Sequence, residues 1–258
     1  MQHANIDQAA VEVFLKSWQL YQQIIENNYM FHREISDAVR DSLISFRPNK
    51  KLSILDLGCG DGSMTLRLLP PERIGSYIAC DLSQPALEIA HRQIDALAIS
   101  AKLICDDMLN VASEQPDQSL DLVFSSYAIH HLSANNKQLL IEQISRALTP
   151  DGRFVLIDIF REPSEDRAAY MRHYMGRIRE SWTNLTVESQ ALVVNHATEY
   201  DYPEPPEFFH VQCIKAGLGN AQALAKHTWH EAWIYAKESS QSLQTRYTHF
   251  KNSNPCVS

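Results

Sequence analysis

Residues 54–63 read ILDLGCGDGS, an apolar run followed by Gly58, Gly60 and Gly62. Because glycine has no Cβ, such a loop lets a ligand reach the main chain, and a helix starting near Ser63 would offer it free N–H groups. A phosphate-binding P-loop needs Gly-Lys-Ser/Thr, and no lysine follows Gly62. The dinucleotide pattern G-x-G-x-x-G needs glycine at position 63, which is serine. Alone, the stretch suits any adenosine-containing cofactor.

An acidic residue, Asp81, follows the next apolar run. At the end of a second strand, such a carboxylate is typical of sites that hold the ribose hydroxyls of a nicotinamide or another adenosine cofactor. Asp81 therefore supports an adenosine ligand without choosing between these two classes.

The elements that would position these residues follow from the apolar pattern. Short apolar runs alternate with helix-compatible segments around 62–69, 84–97, 111–114 and 135–148, and the runs cover 53–57, 77–80, 102–105, 121–125 and 153–159. Strands that are apolar on both faces and separated by helices predict a parallel sheet in a doubly wound α/β fold. Two late strands are predicted at 221–225 and 228–236.

Helical segments flank this core. Apolar residues spaced by three and four predict two N-terminal helices within 10–46, and another helix is predicted over 206–216. The insertion at 161–205 contains two helix-like pieces, about 164–181 and 186–196. Because it follows the carboxyl end of a strand, where doubly wound sheets bind ligands, we expect it to be a lid. We expect a single domain over 1–238 and a disordered polar tail over 239–258.

Composition narrows the function further. The 258 residues carry 23 Lys plus Arg against 31 Asp plus Glu, a net charge of -8, which disfavours nucleic acids and anionic membranes as partners. The absence of a signal-peptide pattern and of long apolar windows favours a cytoplasmic protein. The five cysteines form no C-x-x-C pair and no zinc spacing, so we expect free thiols and no metal.

Five motifs in register resemble those of class I S-adenosylmethionine-dependent methyltransferases: DLGCGDG at 56–62, CDLS at 80–83, DDM at 106–108, LDLVFSSYAIHHL at 120–132 and LTPDGRF at 148–154. The closest likeness is to the small-molecule branch that includes ubiquinone and menaquinone biosynthesis enzymes. The resemblance covers roughly residues 50–160. It implies a Rossmann-like, seven-stranded sheet, mostly parallel with a late antiparallel strand.

The resemblance also implies a cofactor site for S-adenosylmethionine, with S-adenosylhomocysteine as product. Asp56 and the backbone of Gly58, Cys59 and Gly60 would face the methionine part of the cofactor. Asp81 would bind the ribose and Leu82 would pack on the adenine. The edge of the adenine would be bound by Asp107 and the Met108 backbone, with Asp106 as the alternative to Asp107 if the register is shifted by one. Ser125 would offer its backbone carbonyl near the methionine amine.

Methyl transfer from a sulfonium is an in-line displacement, so positioning is the main task, and a base is needed only if the acceptor atom carries a proton. His130 and Asp158 are candidates for that base, with His131 a weaker one. The residues that we expect to contact the acceptor or to form the lid are Tyr21, Tyr29, His32, Tyr127, Arg172, Tyr174, Arg179 and His196.

The expected reaction is therefore methyl transfer to a small molecule through a nitrogen, oxygen, sulfur or carbon nucleophile, by a monomer or homodimer. Two other interpretations stay open: an NAD(P)-dependent oxidoreductase, and a noncatalytic S-adenosylmethionine-binding regulatory protein. Planar amide-type nitrogen is disfavoured as acceptor, because Ser125-Ser126-Tyr127-Ala128 stands where enzymes of that type tend to have Asn or Asp followed by Pro-Pro and an aromatic residue.

Overall fold

A seven-stranded sheet organises the protein, in the order β3-β2-β1-β4-β5-β7-β6. The computed structural model describes residues 18–237. Neighbouring strands are parallel from β3 to β5, and β7 is antiparallel to both β5 and β6. The strands are β1 (Leu52–Leu57), β2 (Ile74–Asp81), β3 (Ala101–Cys105), β4 (Leu120–Ser126), β5 (Leu148–Ile159), β6 (Asn220–His227) and β7 (His230–Ala236). This sheet confirms the predicted Rossmann-like α/β fold.

Helices cover both faces of the sheet. They are α1 (described over 18–26), α2 (His32–Ile44), α3 (Ser63–Leu68), α4 (Gln84–Ala96), α5 (Met108–Ser113), α6 (Ala134–Ala147), α7 (Arg167–Ser181), α8 (Val187–Tyr200) and α9 (Pro206–Lys215). Side chains of one strand alternate between the two cores: Ile54 belongs to the cluster that includes residues of α2, α4 and α7, while Leu55 belongs to the one with residues of α5, α6 and α9. This two-sided burial explains the continuous apolar runs of the strands.

Element boundaries differ from the prediction mainly at β5. This strand begins at Leu148, five residues before the predicted start at 153, because Leu148 already pairs with Leu120 ahead of an irregularity in the ladder. The two insertion helices and α9 form where the sequence predicts them. The expected tail at 239–258 and the predicted helical residues before 18 lie outside the described residues.

The insertion and the N-terminal helices contact each other. The ring of Tyr29, between α1 and α2, stacks on Trp182 at the end of α7 with centroids 5.0 Å apart. The Tyr29 hydroxyl accepts a hydrogen bond from the Asn184 backbone N–H at 2.8 Å, and the Asn184 side chain donates to Asn27. These two segments, far apart in sequence, therefore form one layer over the carboxyl end of the sheet.

The glycine loop after β1 is held by the end of β2. The Cys80 carbonyl oxygen accepts hydrogen bonds from the N–H groups of Gly58 and Cys59, both at 2.9 Å. Gly58 has a φ of +69°, and a Cβ built on it would lie 2.3 Å from the Cβ of Ala128. Glycine is required at this position for two reasons: its φ is in the left-handed region, and the segment around Ala128 comes too close to leave room for a side chain.

None of the helices described between residues 18 and 237 combines the length and the apolar character needed to cross a membrane.

We expect Gly58→Ala to lower the free energy of unfolding by about 3 kcal/mol, from overpacking and an unfavourable φ together. Gly60→Ala is the matched control, because Gly60 has a similar φ of +54° but no described atom within 4 Å of a built Cβ. Its cost should be about 1 kcal/mol. Urea unfolding measures both, and equal costs would contradict the close contact with Ala128.

Candidate active site

A cavity of about 460 Å³ opens at the carboxyl ends of β1, β2 and β4. Its polar side is formed by the glycine loop and the acidic residues that follow the strands, and its other side by aromatic residues of α1, α2 and the segment after β4. The lining includes Tyr21, His32, Asp56, Gly58, Cys59, Gly60, Arg67, Asp81, Leu82, Asp107, Met108, Ser126, Tyr127 and His131. Such a position, outside the strand ends of an open α/β sheet, is where this architecture binds ligands.

Asp56 places a buried carboxylate at the floor of the cavity. Its Oδ2 accepts hydrogen bonds from the hydroxyls of Thr65 and Tyr77, both at 2.6 Å. Burial nevertheless raises the pKa of Asp56 to about 6, and the charges of Asp81 and Asp61 add to the rise. A cationic ligand group would restore the ionised carboxylate, since an opposite charge favours the charged form.

Asp81 links the glycine loop to the end of β2. Its Oδ2 accepts a hydrogen bond from the Gly60 N–H at 2.8 Å, and its Oδ1 accepts one from the Ser83 N–H at 2.9 Å. The next residue, Leu82, is 74% exposed at the cavity edge. A large apolar side chain in this position gives a flat ligand group a surface to pack on.

Asp107 begins α5 and also lines the cavity. Its Oδ1 accepts a hydrogen bond from the Leu109 N–H at 2.8 Å, so the carboxylate is the N-cap of the helix. The Asp106 carboxylate accepts from the Asp107 N–H and from the Asn110 side chain. Both carboxylates therefore contribute to the turn, and both border the cavity beside Met108.

At the end of β4, the side chain of Ser126 lies on the cavity wall and that of Ser125 does not, while the contact expected through the Ser125 carbonyl stays a prediction. Ser125 is fully buried and its hydroxyl donates to the Leu57 carbonyl oxygen at 2.9 Å. Phe124 and Ser126 line the cavity, as the two-residue period of a strand requires. The Ser126 Oγ is buried without a described hydrogen-bond partner and is therefore available to a ligand.

The aromatic side of the cavity is formed by Tyr21, His32 and Tyr127. The His32 ring lies 6.1 Å from that of Tyr21 and 5.0 Å from that of Tyr127, centroid to centroid. Neither ring nitrogen of His32 has a described hydrogen-bond partner, although the residue is buried. Burial lowers the pKa of His32 to about 4, with a contribution from the Arg67 charge, so the imidazole is neutral at pH 7.

Tyr127 connects this side to the N-terminal helices. Its backbone φ of 52° is left-handed, which is rare for a bulky residue and turns the chain sharply at the end of β4. The hydroxyl donates to the Met30 carbonyl oxygen at 2.6 Å. The segment between α1 and α2 is thereby fixed to the wall of the cavity.

His130 and Asp158 form a buried pair behind the cavity wall. His130 Nδ1 lies 2.5 Å from Asp158 Oδ1, and the His130 backbone N–H donates to Asp158 Oδ2 at 3.0 Å. Burial opposes charge on His130, but the Asp158 and Asp201 carboxylates raise its pKa above the usual value. The neighbouring His131, rather than His130, reaches the cavity lining.

Comparison with known proteins identifies the family. Residues 54–152 match the family model described as a methyltransferase domain. An uncharacterised methyltransferase of Schizosaccharomyces pombe is 36% identical over 104 residues, which are 40% of this chain and 38% of that protein. A carboxy-S-adenosyl-L-methionine synthase of Mannheimia succiniciproducens is 31% identical over 156 residues, 58% of this chain and 63% of that protein. Residues 54–152 thus carry a methyltransferase domain, and the comparisons support the predicted class I S-adenosylmethionine-dependent family.

A solved structure agrees in fold over nearly the whole methyltransferase chain. The 1,6-didemethyltoxoflavin-N1-methyltransferase of Burkholderia thailandensis, solved with bound 1,6-didemethyltoxoflavin and S-adenosylhomocysteine, superposes with a TM-score of 0.57 at 15% identity, covering 93% of this chain and 92% of that one. The chain spans less than two thirds of the length of either curated relative. The predicted family and cofactor, S-adenosylmethionine, are thus confirmed, and neither alternative class is supported.

Several residues singled out in the methyltransferase sequence lie elsewhere in the structure. Arg172 and Arg179 are exposed, on the face of α7 opposite its buried side, which carries Tyr174. The Tyr174 hydroxyl lies 3.4 Å from His230 Nε2, in the core behind His32. His196 packs on the ring of His131, with centroids 5.3 Å apart. Tyr29 contacts Trp182 and Asn184 and so connects the N-terminal helices to the insertion.

Other residues at the site escaped the sequence analysis. Thr65 and Tyr77 could not be associated with Asp56 from spacing, since they come from α3 and β2. Ser126 could have been predicted from the sequence, because side chains alternate along a strand and Ser126 therefore shares a face with Phe124. Arg67 of α3 lines the cavity and is exposed.

The raised pKa of Asp56 predicts a specific dependence of stability on pH. The folded state holds the proton more tightly than the unfolded state, so Asp56 lowers stability progressively as pH rises from about 4 to about 6. A shift of roughly two units corresponds to about 3 kcal/mol. Urea unfolding measures the free energy of unfolding of the wild type and of Asp56→Asn at each pH. We expect the wild type to lose stability relative to the variant as pH rises to about 6, and the difference between the two free energies to become constant above pH 7. A difference independent of pH would refute the raised pKa.

Proposed function

We propose that this protein transfers a methyl group from S-adenosylmethionine to a neutral, largely apolar small molecule. The observation that carries the proposal is a single cavity with two chemically different sides. One side offers carboxylates and a bare glycine loop, and the other offers Tyr21, His32 and Tyr127 around an unpartnered imidazole. Such a cavity suits a charged cofactor at one end and an uncharged acceptor at the other.

The residues of the polar side suit the cofactor. The Asp56 carboxylate, with hydroxyls on Oδ2, would hold the methionine ammonium through Oδ1, and the N–H groups around Gly58 and Gly60 would face the same part of the cofactor. Asp81 would bind the ribose hydroxyls, and the exposed Leu82 would cover the adenine. Asp107 and Met108 border the place for the adenine edge.

Bound S-adenosylmethionine would supply an electrophilic methyl group, which leaves the protein to orient the acceptor. His32 is the residue best suited to do this. Its imidazole is neutral at pH 7 and both ring nitrogens lack described partners, so one nitrogen can accept a hydrogen bond from a hydroxyl or amine of the acceptor and the other can donate one. His130 and Asp158 stand behind the wall, which supports a positioning role for them.

The insertion and the N-terminal helices would close the cavity as a lid. Support comes from the stacking of Tyr29 on Trp182 and from the Tyr127 hydrogen bond to Met30. An opening of this layer would expose His32 and Tyr21 together, because both belong to it. We propose that acceptor enters by this movement.

The properties of the whole chain support this assignment. A net charge of -8 favours a small-molecule acceptor over a nucleic acid. The four cysteines within residues 18–237 are unpaired, which supports a reducing, cytoplasmic location. We further propose that the protein acts as a monomer or homodimer.

The cofactor assignment predicts that Asp81→Ala weakens S-adenosylhomocysteine binding at least tenfold, because one charge-assisted hydrogen bond contributes about 1.5 to 3 kcal/mol. Isothermal titration calorimetry measures this affinity. Asp95→Ala is the matched control, since Asp95 is an exposed aspartate paired with His91 on α4, and it should bind as the wild type does. Unchanged affinity in a folded Asp81→Ala protein would remove Asp81 from the site.

The acceptor assignment predicts that His32→Phe lowers methyl transfer about a hundredfold while S-adenosylhomocysteine affinity stays within about threefold, as expected when the hydrogen bond that orients the acceptor is lost. The assay adds protein and methyl-labelled S-adenosylmethionine to a metabolite extract and follows labelled products by mass spectrometry. His91→Phe, on the exposed face of α4, is the control. Full transfer by His32→Phe would exclude His32, and no labelled product from the wild type would contradict the proposed function.

A further inference from the structure

Three side chains of a type that can bind a metal ion lie close together beside the cavity. One ligand atom each from His130, His131 and Asp201 lies within 4.8 Å of the other two. His130 and His131 belong to the turn after β4, and Asp201 follows α8 at the end of the insertion. The cluster therefore joins the catalytic edge of the sheet to the lid.

The distances suit tetrahedral coordination. Asp201 Oδ1 lies 3.5 Å from His130 Nε2 and 3.3 Å from His131 Nδ1. Ligand atoms at the bond lengths that zinc forms with histidine and aspartate are separated by about 3.4 Å when the geometry is tetrahedral. The two separations from Asp201 Oδ1 are thus those expected around such an ion, and the two histidine ligand atoms lie within 4.8 Å of each other.

The hydrogen-bond pattern also calls for a cation at this point. Asp201 Oδ1 is buried and has no described hydrogen-bond partner. Asp158 accepts from the Nδ1 side of the His130 ring, which directs Nε2 toward Asp201. His130 Nε2 and Asp201 Oδ1 therefore face each other across 3.5 Å, with room for a cation between them.

The surroundings of His130 resemble a metal-ligand environment. Histidine ligands commonly donate their second ring N–H to a carboxylate, which fixes the ring and strengthens the ligand. Asp158 is in that position, and it also accepts the N–H groups of His130 and Ile159, so it is held rigidly. The carbonyl oxygen of Tyr200 lies 3.2 Å from His131 Nδ1, and an ion would replace this hydrogen bond.

We propose that His130, His131 and Asp201 bind a divalent transition metal of the zinc type, with Asp158 orienting His130. Nitrogen and carboxylate ligands in this number are suited to Zn²⁺, which leaves a fourth position for water or a ligand. Because His131 lines the cavity, that position lies at its wall. The ion would fasten the end of the insertion to the turn after β4. Cysteine spacing gives no hint of this site, since its ligands are histidines and an aspartate 70 residues further along the chain.

The experiment uses the full chain without a histidine tag, stripped with a chelator and titrated with Co²⁺ as probe. We expect one equivalent to bind with the strong visible absorption of tetrahedral Co²⁺, and Zn²⁺ to displace it. His131→Ala, at a partly exposed position, should weaken binding at least tenfold while circular dichroism shows an unchanged fold. Asp158→Asn should weaken it by about 10- to 100-fold.

His173→Ala is the matched control, because His173 pairs with Glu165 at 2.6 Å on α7 and should leave Co²⁺ binding unchanged. Absence of binding would show that a proton alone lies between His130 and Asp201. Weak octahedral spectra, or binding that His131→Ala leaves intact, would equally overturn the proposed site. None of these readouts depends on methyl transfer, so the result is independent of the proposed function.

Discussion

The close passage of the chain after β1 beside the chain after β4 is the constraint on which this methyltransferase site depends. Gly58 lies against Ala128, where a Cβ would be 2.3 Å from its neighbour, and Cys80 holds the loop from the other side through two backbone hydrogen bonds. Three strand ends are thereby drawn together at one edge of the sheet. The carboxylates of Asp56 and Asp81 take their places in the cavity from this arrangement, because each stands at the end of one of the joined strands.

The pKa shifts at the site arise because titratable groups are buried there, and no described residue of opposite charge fully compensates their desolvation. Asp56 is stabilised by two hydroxyls, yet burial and the neighbouring aspartates still raise its pKa. His32 shows the opposite case of the same effect, since burial lowers the pKa of its imidazole and leaves its nitrogens unpartnered. Functional sites commonly carry such unfavourable terms, because a ligand that supplies the missing charge or hydrogen bond gains the corresponding free energy.

The layer above the cavity is built from two segments that are far apart in the sequence, because strands β1 to β5 lie between them in the chain. The N-terminal helices contribute Tyr21 and His32 directly, and the insertion contributes through Trp182, Asn184 and Asp201. Tyr127 connects this layer to β4 by its hydroxyl. The two segments are therefore coupled to each other and to the aromatic side of the cavity through packing and hydrogen bonds.

The sequence by itself determined the fold class, the order of the elements and the polar side of the cavity, because these depend on local patterns: two-sided apolar strands, glycines with no alternative at a positive φ, and motifs in register. The arrangement of the aromatic side of the cavity was decided by tertiary structure. His32 and Tyr127 meet only because α2 packs on the end of β4, and Arg172 and Arg179 face outward because the apolar face of α7, with Tyr170 and Tyr174, turns toward the core. Likewise, His130 and Asp201 are 71 positions apart and become neighbours only when the insertion folds back on the sheet. Contacts between distant segments depend on how whole faces pack, and no local spacing encodes that.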